Sequence, residues 1–204
     1  MTVEACAALV ERGDPDRFAA VMAAPPDARA KLWPLYAFNL EVARAPWVTK
    51  EPMIAEMRLQ WWRDVIAEPR PRAHEVAGPL HHLIRAANLP IDTLDRMAAA
   101  RQWDIHKEPF ASDTAFDTYL DDTAAGLMWL AARALGAPDA AEDPVRAYGW
   151  ASGLAGWGGS AGVVLASGLP LLSDVLLGLL VGAAALLLVQ GVQRLRGRHG
   201  RSHP

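Results

Sequence analysis

Cysteine is nearly missing from this chain. Cys6 is the only one in 204 residues, so neither a disulfide framework nor a cysteine-based metal site can form within one copy. β-Branched residues are scarce beside alanine, leucine and arginine, no alternating run demands a strand, and nothing repeats at a fixed period. Those absences remove β architectures and solenoids. Strong charge of either sign is missing too. A formal net charge of -3 offers no footprint for nucleic acid, and the basic residues do not interleave with aromatics along one face. The opening MTVEACAALVERGD has an early Glu4 and no basic leader, so it does not read as a secretory signal, and a loose terminus is expected around Cys6. The patterns GxxxxGK[ST] and HExxH do not occur, and the letters GGSAG at 158–162 lack the strand-to-helix context of a serine-nucleophile GxSxG, which removes the common phosphate-loop, zinc-protease and serine-hydrolase routes. GWGGSAG at 156–162 is glycine-rich but follows no predicted strand. His81 and His82 adjoin on a helix and point apart, with no third ligand nearby, so both are expected in solvent.

What remains is helical. Apolar residues make up 52% and charged residues 21%, enough for one substantial core. Asp14-Pro15 opens a helix that stops at Pro25-Pro26. A second runs from Asp27 to about Ala45, kinked or restarted at Pro34. Glu51-Pro52 opens a third, which fades by Pro69, and a proline-rich loop fills 68–79. The pattern then predicts helices from Leu80 to Ala87, capped by Asn88, and from Ile91 to about Lys107. Ser112 caps the next, whose stripe is Phe116, Leu120, Thr123, Leu127, Leu130 and Ala134. Residues 145–168 are rich in glycine and serine, and fit either a helix packed closely on its neighbours or a break at Gly158-Gly159. Six to eight antiparallel helices, all-α, in one domain over 1–204 is the economical architecture. The segment 170–196 is an atypical, very apolar helix within it. Its run Val175 to Val189 falls short of the roughly 20 residues of a membrane span. It fits a buried C-terminal helix or one lying in or on a membrane, with the arginines beyond it near the surface.

The hairpin from Pro34 to Glu68 holds three of the eight tryptophans. Its second helix predicts a core face of Ile54, Met57, Trp61 and Val65, widened by Met53 and Leu59, with Trp62 turned toward a surface or pocket. Glu41 and Glu56 sit among apolar residues and suit ion pairs with Arg44, Arg58 or Arg63. Asp113, Asp117 and Asp121 recur every fourth residue, with Asp122 beside them. Such a face is either simply wet or held by a divalent cation.

LYAFNLEVAR, then EPMIAEMRLQWWRD, then a helix containing TAAGLMWLAARALG together resemble the squalene/phytoene synthase family of head-to-head isoprenoid synthases, over roughly Asp14 to Trp157. The resemblance implies an isoprenoid-synthase-like helical bundle, shortened or replaced at its C-terminus, and membrane-proximal substrates. In active members two aspartate-rich motifs hold magnesium against a prenyl diphosphate. Here Glu41 is the one carboxylate left in the first motif, and AYGWASGLAGWGGSAGVVLASG, where the second belongs, has none. Tyr119 with Thr123 to Gly126 looks like the family's tyrosine-plus-small-residue helix, and Asp104 like the acid preceding it. Glu41 and Tyr119 are the catalytic candidates, and Glu41, Asp117 and Asp121 the metal candidates. Tyr36, Asn39, Arg44, Arg58, Trp62 and Arg63 are the substrate-binding ones. The style is closest to degenerate members related to a respiratory complex I assembly factor. Two functions stay open. One is a catalytically degenerate, membrane-proximal binding or assembly protein without cofactor, whose partner is a protein or a prenyl lipid. The other is a magnesium-dependent prenyltransferase condensing prenyl diphosphates. Either implies a cytoplasmic protein, in one form attached peripherally to the inner face of the membrane.

Overall fold

Helix α1 (Val3–Gly13) begins where Thr2 Oγ1 accepts from Ala5 N at 3.4 Å, and it seals Cys6 and Val10 against the body of the protein. The terminus expected to be loose is therefore a docked helix. Burial pushes the Cys6 thiol up, with Glu75 adding to it, to about 12. The structure is a computed structural model, and it describes residues 2–165. The very apolar helix expected over 170–196, buried or at a membrane, lies outside the described residues.

Asp14 caps α2 (Pro15–Met22), accepting from Arg17 N at 3.1 Å, with Pro15 in the first turn where its missing N–H costs nothing. The centre of the molecule is α3 (Pro26–Arg44), which runs through Pro34 without restarting. Its residues Leu32 to Val42 are buried on nearly every side, packed among α1, α5 (Ala77–Ala87), α6 (Ile91–Ala100) and α9 (Gly126–Ala134). A helix enclosed all round gains enough apolar burial to offset the hydrogen bond that Pro34 cannot donate.

In α4 (Pro52–Ala67) the buried stripe is Ala55, Leu59, Trp62, Val65 and Ile66. Leu59 and Val65 are buried as expected, and the rest of the expected face is corrected. Met53, Ile54 and Met57 are exposed, Trp61 is half-buried, and Trp62 is sunk in the core at 2% exposure with its ring edge on Phe38. His81 is a second correction. It is buried, with a ring nitrogen 2.7 Å from the Val65 carbonyl, and it pins α5 to α4.

Asn88 ends α5 in the left-handed region as expected (φ 47°). The single helix expected from Ile91 to Lys107 is split at Arg101 into α6 and the short α7 (Gln102–His106), which Lys107 ends at φ 54°. Ser112 does cap α8 (Asp113–Leu120), and the predicted stripe is buried from Leu120 to Ala134 with Phe116 half-buried at its start. Between α8 and α9, however, Asp121–Ala125 form one turn of π-helix. Such a turn widens the helix by one residue, and no hydrophobic period announces it.

After a short 3-10 turn (Asp139–Ala141), the glycine-rich stretch forms one unbroken helix, α10 (Glu142–Leu165). A Cβ on Gly149 would stand 2.7 Å from Ala125 Cα and 2.8 Å from Met128 Cβ, and one on Gly153 would strike Ala124 Cβ. The two glycines let α10 lie directly on the π turn.

Candidate functional site

Where α10 crosses the π turn, α2 and α3 close the other side of a cavity of about 210 Å³. Its floor is Ala124, Leu127 and Met128, its far wall is the small-residue face of α10, and Arg17 and Tyr36 form its polar end. The helix start that orders Asp14 also places Arg17. Arg17 Nε lies 3.1 Å from Asp14 Oδ2, and the guanidinium stacks 5.0 Å from the Tyr36 ring centroid. Burial raises the Tyr36 hydroxyl pKa against the opposing pull of Arg17, so this end offers a neutral phenol beside a paired cation.

A second polar centre sits under α8. Tyr119 is buried, donates to Asp104 Oδ1 at 2.9 Å and accepts from Arg101 Nη1 at 3.1 Å, and Arg101 also meets Asp104 Oδ2 at 3.2 Å. Trp103 and Phe110 wall it in, with their rings 5.4 and 5.5 Å from that of Tyr119. Burial raises Tyr119, against Arg101 and with the help of Asp104, to about 12. A phenol held neutral between a cation and an anion is a structural link more than a base. The linkage has a definite sign. Because the folded value exceeds the ordinary 10, the stabilisation from Tyr119 is complete below pH 10 and is lost as pH rises through 12. Urea titrations in steps across that window are expected to show stability falling, and Tyr119→Phe is expected to fall less steeply over the same steps. An identical slope in the variant would remove Tyr119 from the account.

The metal candidates do not converge. Glu41 pairs with Arg58 at 3.7 Å across α3 and α4. Asp121 meets Arg146 at 2.9 Å, and that arginine also holds Glu142 at 2.8 Å. Asp122 pairs with Arg96 at 3.0 Å, while Asp113 and Asp117 lie exposed on the outside of α8. Among the described residues no three His, Cys, Asp or Glu side chains gather into a group able to hold a metal ion. Magnesium against a diphosphate needs carboxylates free to ligate it, and this donor set does not fit that requirement.

Of the substrate-binding candidates, Tyr36 lines the cavity and the other five do not. Asn39 is buried within α3 with its Oδ1 unpartnered. Arg44 is exposed at the end of that helix. Arg58 is taken by Glu41, and Arg63 holds Asp95 with two bonds of 2.7 and 2.9 Å, tying α4 to α6. Trp62 is core, a correction to the pocket role expected of it. Sequence reasoning passed over Arg17, Arg101 and Arg146. Arg146 follows Glu142 by four residues, a readable helical pair. Arg17 follows a cap that was recognised, and Arg101 gave no signal at all.

A family model described as squalene/phytoene synthase matches residues 10–157. Curated relatives carry the name NADH dehydrogenase (ubiquinone) complex I, assembly factor 6. The protein of Rattus norvegicus is 26% identical over 146 residues, covering 70% of this chain and 44% of the relative. That of Homo sapiens is 24% identical over the same length and shares. The Drosophila melanogaster homologue is 29% identical over 163 residues, covering 74% of this chain and 48% of its own. The chain thus spans about half the length of the curated relatives it matches.

Proposed function

We propose, because the chain belongs to the squalene/phytoene synthase family, that it keeps the family's helical framework while binding rather than transferring prenyl groups. On this reading it serves as a membrane-proximal binding or assembly protein. The observation that carries the reading is the fate of the carboxylates. Glu41, Asp121 and Asp122 each face an arginine, and no three ligands gather among the described residues. An arginine partner lowers the advantage a carboxylate would gain from a metal ion, and separated carboxylates cannot share one. The cavity supports the same reading. Among the described residues it measures about 210 Å³, below the roughly 300–1,000 Å³ of ordinary ligand pockets.

The partner proposed is a protein of an NADH dehydrogenase assembly, on the strength of the assembly-factor names of relatives in several animals. A prenyl lipid is the alternative occupant, and the small apolar cavity suits part of one chain. Attachment is proposed to the inner face of a membrane, from the cytoplasmic side. Among the described residues no helix is long and apolar enough to cross one.

Two measurements test the proposal. The purified full chain with magnesium and farnesyl or geranylgeranyl diphosphate is expected to release pyrophosphate no faster than buffer. Release above that level, abolished by EDTA, would return the protein to the prenyltransferases. Removal of the protein from its host is expected to lower the amount of fully assembled NADH dehydrogenase on native gels, with partly built intermediates accumulating. An unchanged complex would end the assembly reading.

A further inference from the structure

The outer side of α4 is apolar, although its inner side already fills the core. Met53 is 71% exposed, Met57 66% and Ile54 48%, and Trp47 and Val48 in the preceding link are 63% and 49% exposed. Five of the nine large apolar side chains standing in solvent among the described residues thus fall within eleven positions of sequence. They are also close in space. Met53 and Met57 lie one helical turn apart. The end of α7 bridges the link and the helix, since His106 meets Glu56 at 3.0 Å and the Lys107 ammonium lies 3.7 Å over the Trp47 ring. Helix α4 therefore has two apolar sides, and packing within the fold accounts for one of them.

The charges at this corner say what would cover the other. Arg44 ends α3 beside the link, Lys50 follows it, and Lys107 is held over Trp47 by a left-handed turn at its own backbone. One cation therefore lies over the exposed Trp47 ring, and two more, both exposed, stand within three residues of it in sequence. Of the nearby acids, Glu41 is engaged by Arg58 and Glu56 by His106. Glu51 stands at the N-terminus of α4, where the helix dipole favours it, and Glu108 is exposed next to Lys107. A tryptophan flanked by lysine and arginine, with methionine and isoleucine beyond, matches the interfacial layer of a bilayer. There the ring sits among headgroups, the cations meet lipid phosphates and the aliphatic chains enter the acyl boundary.

We infer that the corner formed by Trp47, Val48, Met53, Ile54 and Met57 is the face by which this protein docks on an anionic lipid surface. The inference rests on the membrane-proximal part of the proposed function and names the side chains that carry it. Its test is independent of turnover and of complex assembly, so failure here leaves those results standing.

The test is sedimentation of the full chain with vesicles of phosphatidylcholine alone or with phosphatidylglycerol added. Binding is expected on the anionic vesicles, weaker on the neutral ones and reduced by salt. The exposed double change Met53→Ser with Met57→Ser should lower partitioning about tenfold or more, as loss of two inserted side chains implies. Lys50→Glu with Lys107→Glu should weaken binding to anionic vesicles alone. Circular dichroism checks that the variants fold, which their exposure favours. Wild-type binding that survives both double changes places the lipid contact elsewhere in the chain and overturns the inference. So does absence of vesicle binding. If the methionine change instead abolishes association with an NADH dehydrogenase subunit while vesicles are ignored, the face is a protein interface and the lipid assignment is wrong.

Discussion

Asp104→Ala is expected to cost about 3–5 kcal/mol, the usual penalty for removing one partner of a buried ion pair. In a chain of this size that lowers the melting temperature by roughly 6–20 °C. The reason is what is left behind. Asp104 accepts from Tyr119 at 2.9 Å and faces Arg101 at 3.2 Å, so its loss strands a guanidinium and a phenol beneath the aromatic wall of Trp103 and Phe110. Tyr119→Phe should be milder, about 1–3 kcal/mol, because Asp104 keeps Arg101. Replacing both charged partners with leucine should cost less than the single change, since no orphaned charge remains. Thermal melts of the three variants decide it. A single alanine variant that melts within a degree or two of the parent would show that the centre adds nothing to the fold.

The second large effect is expected at Gly149. Alanine is the better helix former by about 0.8–1 kcal/mol, so Gly149→Ala would stabilise an unobstructed helix. Here the new methyl would stand 2.7 Å from the Ala125 backbone and 2.8 Å from Met128 Cβ. Backbone on a packed π turn cannot yield as a side-chain tip can, and overpacking of this kind costs about 1–3 kcal/mol. The net change is expected to be destabilising, and Gly149→Leu should prevent α10 from docking. Gly13→Ala is the contrast, since its methyl meets only the flexible end of Leu40. Denaturant midpoints that rise for Gly149→Ala would mean that the helix crossing is looser than the distances imply.

These two centres differ in how well they can be read in advance. The helices themselves announce their ends. Asp14-Pro15, Ser112 and Asn88 each supply the hydrogen bond or backbone angle that an end requires, and the close-packed α10 is foreshadowed by its glycines. Thr2 supplies a cap of the same kind, and the helix it starts is the one that the expectation of a loose terminus left out. In α4 the pattern was ambiguous. Two stripes have helical spacing and share Leu59 and Val65, and the buried one turns toward Ala55, Trp62 and Ile66 rather than Met53, Ile54 and Met57. His81 looked like a surface histidine because its acceptor, the Val65 carbonyl, lies sixteen residues away on another helix.

The candidate site was less legible for the same physical reason. Asp121 and Arg146 are 25 residues apart, Asp122 and Arg96 are 26 apart, and Tyr119 and Arg101 are 18 apart. No local period encodes such pairs. The spacing of Asp113, Asp117 and Asp121 suggested one acidic face. Asp121 still follows Asp117 by one α turn, its N–H bonding the Asp117 carbonyl, and what sets it apart is its pairing with Arg146 from α10. The scarcity of family-type carboxylates was visible from the outset, whereas their capture by arginines required the fold.

The depth of Cys6 has a practical side. Its thiol has no exposed surface and a pKa pushed to about 12, so at neutral pH it presents almost no thiolate to an alkylating reagent. In the folded state the protein behaves toward maleimides as though it had no cysteine. Met57→Cys, on the exposed side of α4, would then accept a single polarity-sensitive fluorophore without any need to remove the native thiol. The emission colour of that one dye would report directly whether this side of the helix meets water, lipid or protein.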